Sequence, residues 1–168
     1  MEERRLPGIT VRPLTREDAK TVVVLGWELL HYHAGISKWI VPVRSFECFA
    51  EAWRPYLDRF VGVDGRLALV AEVGGGLAGY LLACLRDLPP ILDGPPELLV
   101  TEVMVVPRNR GAGVGGALMR AAYDWGRRRG CLVARVNVYE PNEGAIGFYE
   151  REGFATHERV MLKRIADM

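Results

Sequence analysis

Lysine is nearly missing from this chain: Lys20, Lys38 and Lys163 are the only three among 22 basic residues. With 19 glycines alongside, the arginine excess is read mainly as genomic base composition and only secondarily as anion chemistry. Cysteine is as scarce. Cys48, Cys84 and Cys131 are an odd number at wide spacing, which supplies neither a disulfide framework nor a CxxC zinc pattern. His31 and His33 stand two apart with no cysteine or third histidine near them, so no metal site is expected. No apolar run approaches the ~18 residues of a membrane-spanning helix. Met1-Glu2-Glu3-Arg4-Arg5 leads into no apolar stretch of the secretory kind. Charge of one sign is lacking too: 22 basic against 21 acidic residues leave +1, without the basic field of a nucleic-acid binder. These absences predict a reduced, cytoplasmic, metal-free protein whose partners are neither nucleic acid nor membrane.

What remains is 168 residues, 49% hydrophobic and 26% charged, the size and composition of one soluble domain over 1–168. Ile9 to Pro13 alternates as a short strand. Thr15-Arg16-Glu17-Asp18 fits a capping box for a helix running toward His31. Ser45 caps a second helix whose apolar residues (Phe46, Phe49, Trp53, Leu57, Phe60) recur at three and four, with Pro55 expected to kink or split it. Leu67–Val73 and Ala78–Leu85 form a hairpin over Gly74-Gly75-Gly76. The stretch 86–97 holds four prolines and reads as a loop, functional or an oligomer contact, which leaves a homodimer open. A strand from Leu98 to Val106, a helix from Gly113 to Arg129, a strand over 132–138, a short helix from Asn142 to Glu152 and a last strand over Arg159–Lys163 complete the order β-α-α-β-β-β-α-β-α-β. That is one mixed α/β domain.

The chemically loudest segment lies between a strand and a helix: Val105-Val106-Pro107-Arg108-Asn109-Arg110-Gly111-Ala112-Gly113-Val114-Gly115-Gly116. Four glycines in six residues carry a backbone-entropy penalty with no evident packing return. Their free N–H groups and the positive end of a helix suit an anion, phosphate first. Ala117 stands where a Walker A loop needs lysine. GxGxxG matches the dinucleotide fingerprint literally, but Pro107 to Arg110 separate it from the strand and about fifty residues follow, too few for such a domain.

The same residues satisfy R-x-x-G-x-G after a V-x-P strand exit, with Arg110, Gly113 and Gly115 as the preferred frame and Arg108, Gly111 and Gly113 as a second. Downstream, Asn142-x-x-Ala145-x-x-Phe148-Tyr149-Glu150-x-x-Gly153-Phe154 places Asn142 and Tyr149 two helical turns apart on one face. In both features the chain resembles the GCN5-related N-acetyltransferase (GNAT) family. The resemblance runs in element order from about Ile9 to the end, with its specific residues between Val103 and Phe154. Taken alone, Asn142 reads equally as a helix N-cap and Tyr149 as a packed aromatic.

The resemblance implies the acyl-CoA N-acyltransferase fold, a three-layer α/β domain with a splayed central sheet. It implies an acetyl-CoA-dependent N-acetyltransferase that moves the acetyl group to a primary amine of a small molecule or peptide. Pantetheine would lie along Val103-Met104-Val105, with a backbone N–H there as oxyanion donor. Pyrophosphate would sit on Arg110, Gly111, Gly113, Val114, Gly115 and Gly116, with Asn142 as a further cofactor contact. Tyr149 would protonate the leaving sulfur. Asn137 occupies the position where some relatives carry a basic glutamate, so Glu102 is the candidate base, direct or through water, with Glu140 a poorer one. Cys84 and Cys131 read as core thiols without a paired histidine, which favours direct transfer over ping-pong. The acceptor would lie against the first helices and the Pro-rich loop, near His31, Tyr32, His33, Trp39 and Trp53. A different class, an acyl-CoA-binding module without turnover, is separated from the enzyme by acceptor-dependent release of thiol.

Overall fold

A computed structural model describes residues 8–40 and 45–165. The elements run β1 (Ile9–Pro13), α1 (Ala19–Ile36), α2 (Phe46–Asp58), β2 (Arg66–Val73), β3 (Gly76–Arg86), β4 (Glu97–Val105), a single 3-10 turn at Pro107–Asn109, α3 (Val114–Arg127), β5 (Ala134–Val136) and α4 (Glu143–Arg151). The five strands form one sheet in sequence order. β1 to β4 pair antiparallel, and β5 joins β4 in parallel.

Each face of the sheet buries a different set of side chains, as strand alternation requires. On one face Leu81, Ala83, Leu98 and Val100 meet Val114, Leu118, Met119, Ala122 and Trp125 of α3, with Phe148 and Tyr149 of α4 packed against them. On the other, Val70, Tyr80, Leu82 and Met104 meet Val22 and Leu25 of α1 and Leu57 of α2. The result is three layers, the sheet between two helix pairs. Gly26 sets the spacing of α1 and α2, since a Cβ there would fall 2.8 Å from the Trp53 ring.

Local signals account for most of the boundaries. Thr15 and Asp18 do pair, Thr15 N donating to Asp18 Oδ2 at 2.8 Å, but they close a turn just before α1 instead of its first turn. Asp18 is also gripped by Arg12 through two nitrogens at 2.8 and 2.9 Å, which ties α1 to β1. Ser45 caps α2 by accepting from Cys48 N. Gly130, with φ +81°, stops the chain after α3.

Two expectations are corrected. α2 is continuous through Pro55. Pro55 sits in the last turns on an exposed face, where the carbonyl freed at exposed Glu51 meets water, so nothing forces the helix to split. The last strand over Arg159–Lys163 does not form: 154–165 pair with no other strand, and Val160, Met161 and Leu162 lie exposed. Alternation alone does not make a strand without a ladder and a face to bury. β5 offers an edge only three residues long instead of the expected 132–138.

Candidate active site

The site begins with a failure of pairing. β5 holds β4 only at Leu98, Val100 and the residue between. Beyond Val100 the outer edge of β4 is free while the chain after Val136 turns away, so the sheet splays beside Val103, Met104 and Val105. On its inner edge β4 keeps its ladder with β3, where Val103 faces Leu81 and Val105 faces Gly79. Any side chain at Gly79 would drive into the carbonyl of Met104. That glycine therefore lets β4 lie close to β3 where the gap opens.

A bulge then selects which side chains face which layer. The β3–β4 register slips between Leu82 and Ala83, leaving Thr101 without a counterpart and its hydroxyl on Leu82 O at 3.1 Å. An extra residue reverses the alternation. Leu98 and Val100 face α3 before the bulge, and Val103 and Val105 face it after. Glu102 is thereby turned, with Met104, toward α1 and α2. There Glu102 Oε2 accepts from the Tyr80 hydroxyl at 2.7 Å, and the Tyr56 phenol of α2 stands close by. Burial pushes the Glu102 carboxyl above the usual carboxylate range, with the Tyr80 and Tyr56 hydroxyls pulling it partly back. The result is a buried carboxylate that binds protons more readily than an exposed one. Tyr80 itself is fully buried and was not anticipated. The available signal was a lone phenol inside the apolar run 78–85, since a buried tyrosine hydroxyl needs a partner.

At the far end of β4 the chain makes its glycine turn. Gly111 (φ +75°) and Gly113 (φ +86°) are left-handed, a conformation that L side chains avoid. α3 starts at Val114 without a side-chain cap, and its first internal bond is Ala117 N to Gly113 O. Among the described residues, the amides of Gly111, Gly113, Val114, Gly115 and Gly116 therefore donate to nothing. Unpaired N–H groups at and just before a helix N-terminus have the chemistry that suits an anion such as a pyrophosphate. Arg110, by contrast, spends its Nε on Val105 O at 3.2 Å. The expectation of no packing return is corrected for two glycines. A Cβ on Gly115 would come within 3.2 Å of the Phe148 ring, and one on Gly116 within 3.3 Å of Arg120 and Glu152. Those two let α4 seat against α3.

α4 closes the gap from the other side. Asn142 is buried and does cap α4, accepting from Ala145 N at 3.2 Å. Tyr149 lies in the α3-side cluster, its ring edge-on to Phe154. Burial pushes its phenol up to about 12, so it keeps its proton, and among the described residues its hydroxyl has no partner. Glu102 and Tyr149 thus flank the unpaired stretch of β4 from opposite layers. Glu140 sits away from this arrangement, exposed and paired with Arg159 at 3.6 Å. Of the aromatics expected near the acceptor, Trp53 is core, while Tyr32 and Trp39 are 41% exposed on the α1 side.

Residues 34–154 match the model of the acetyltransferase (GNAT) family, and the chain belongs to it. The class is that of acetyl-CoA-dependent N-acetyltransferases. Over 161 residues the chain is 29% identical to an uncharacterized N-acetyltransferase of Methanocaldococcus jannaschii, covering 93% of this chain and 67% of that one. It is 41% identical over 92 residues to the streptothricin acetyltransferase of Streptomyces lavendulae, covering 55% of this chain and 46% of that one. In structure it resembles the aminoglycoside acetyltransferase AAC(6')-Iy in complex with a CoA bisubstrate analog, with TM-score 0.71 and 21% identity over 95% of this chain and 99% of the other. AAC(6')-Ih of Acinetobacter baumannii gives TM-score 0.72 at 15% identity over 96% and 100%. At these identities the structural likeness establishes the fold. Among the described residues no helix is long and apolar enough to cross a membrane.

Proposed function

We propose that this protein transfers the acetyl group of acetyl-CoA directly to a primary amine of a small molecule or peptide. One observation carries the reading: the free edge of β4 leads straight into five unpaired amides at the start of α3. Val103, Met104 and Val105 would hold the pantetheine arm, and Gly111, Gly113, Val114, Gly115 and Gly116 the pyrophosphate. Arg110 and Asn142 complete that wall.

Bound acetyl-CoA supplies the activated thioester. Glu102, on the α1–α2 side, takes the proton of the incoming amine, and its raised affinity for protons suits that task. A free backbone N–H on the outer edge of β4 serves as oxyanion donor, worth a few kcal/mol when preorganised. Tyr149 returns a proton to sulfur. Cys84 and Cys131 are buried in the core, and burial pushes the Cys131 thiol up, which suits direct transfer over a covalent acyl-enzyme. The streptothricin and aminoglycoside acetyltransferases support small-molecule amines as the acceptor class. The same reading takes 1–168 as one cytoplasmic domain.

The test has two stages. Millimolar CoA should raise the melting temperature, as a ligand of the native state must. No shift in folded protein sinks the cofactor reading. A panel of amines, peptides and antibiotics with thiol detection then separates turnover from mere binding: thiol released only when an amine is present establishes the enzyme.

A further inference from the structure

Tyr32 belongs to α1, in the layer opposite α4, yet it touches two elements of the cofactor wall. Its hydroxyl donates to Asn142 Oδ1 at 3.2 Å across 110 residues of sequence. The guanidinium of Arg110 lies over its ring, 5.8 Å from the centroid. The hydrogen-bond chemistry of Asn142 gives the first contact its meaning. Ala145 N can only donate, so the side-chain atom facing it is the oxygen and not the amide nitrogen. Tyr32 supplies a second donor to the same oxygen, which fills both of its lone pairs. The carboxamide is then held at two points and cannot flip without losing both. Its Nδ2, carried by a residue only 7% exposed, makes no hydrogen bond among the described residues. A nearly buried amide with a locked oxygen and a free NH2 is arranged to donate to a ligand.

We propose that Tyr32 is a positioning residue for coenzyme A, its hydroxyl fixing the Asn142 carboxamide so that Nδ2 donates to a carbonyl or phosphate oxygen of the cofactor. This rests on the cofactor reading above. The ring has a second, smaller part, steadying Arg110 where the glycine turn begins. A wall of the acceptor side is in this way tied to cofactor occupancy.

Calorimetry with CoA alone tests it, with no acceptor required. Tyr32→Phe keeps the ring and removes the donor, and should weaken CoA about three- to tenfold, the range for one neutral hydrogen bond. Tyr32→Leu should weaken it further. Asn142→Ser keeps an N-cap oxygen but removes Nδ2. The double variant Tyr32→Phe/Asn142→Ser should bind no worse than Asn142→Ser by itself, because the two act through one group. The melting temperature of Tyr32→Phe should fall by no more than about 2–5 °C, the loss of one half-exposed hydrogen bond, so the protein stays folded. CoA binding by Tyr32→Phe equal to wild type, or losses that simply multiply in the double variant, overturns the Tyr32 inference and leaves the cofactor reading standing. A folded wild type that binds no CoA overturns both.

Discussion

The two sides of the splayed end of β4 are made of different material. On the α3–α4 side the exposed groups are main chain: five unpaired amides and a strand edge without a partner among the described residues. On the α1–α2 side stand side chains instead, a buried carboxylate held by Tyr80 with the Tyr56 phenol close by. Backbone donors present the same groups whatever the neighbouring side chains, so they suit a ligand that never changes. A wall of side chains can be rebuilt residue by residue, which suits an acceptor that differs from one relative to the next.

The largest expected effect comes from filling the main-chain wall. Gly113→Glu should abolish measurable CoA binding through bulk and charge repulsion at the phosphates. The left-handed φ adds roughly 1–2 kcal/mol of strain, which lowers the melting temperature without unfolding the protein. Calorimetry showing wild-type affinity would remove the loop from phosphate binding. Next comes Tyr149→Phe, with kcat and kcat/KM falling together on the order of 10- to 1,000-fold and acetyl-CoA affinity nearly constant. Full activity on a genuine acceptor would leave Tyr149 only its packing role.

Glu102→Gln moves the comparison to the other wall. CoA affinity should stay as in wild type, while activity at neutral pH drops on the order of 10- to 100-fold. Activity should recover toward pH ~10, where free amine becomes abundant. In the wild type the carboxylate must be unprotonated to act, and burial raises its pKa. The acid limb of kcat/KM should therefore lie above the ordinary carboxylate range, and an unshifted limb would argue for another base.

A smaller effect is expected at the corner of β1 and α1. Arg12 holds the Asp18 carboxyl down at about 2, against an ordinary 3.8. A carboxylate with a lowered folded-state pKa stabilises fully above its unfolded value, and the contribution fades as pH falls through the folded one. Asp18→Asn should cost roughly 1–2 kcal/mol at neutral pH, discounted because Arg12 is about one-third exposed. The difference from wild type should shrink between about pH 4 and 2, which acid melts would follow. Smallest of all, Arg110→Ala should weaken CoA by less than about threefold, since its Nε is already bonded to Val105 O. A loss as large as that of Gly113→Glu would move phosphate recognition from main chain to side chain.

The main-chain wall was the legible one. A left-handed turn before an uncapped helix demands glycine at particular places, and such demands are written locally, at Gly111 and Gly113. Asn142 and Tyr149 stood out only through their resemblance to the family signature, since taken alone they read equally as an N-cap and a packed aromatic. The purpose of Gly115 and Gly116 was not legible: their reason is Phe148, Arg120 and Glu152, contacts that exist only once α4 folds back. The Tyr80–Glu102 pair was hidden as well, because it crosses two strands and depends on a register slip that no local pattern announces. The tail over Arg159–Lys163 erred in the other direction, its alternation suggesting a strand where no ladder receives it.

By itself the sequence determined most of the elements, the left-handed glycine turn and the residues that resemble a known acetyl-transfer signature, since each depends on residues only a few positions apart. Only the tertiary structure decided which layer Glu102 faces, where β4 loses its neighbour, and that Tyr32 reaches Asn142. Those are consequences of strand register and layer packing, set by the burial of both sheet faces at once. No segment carries that information alone.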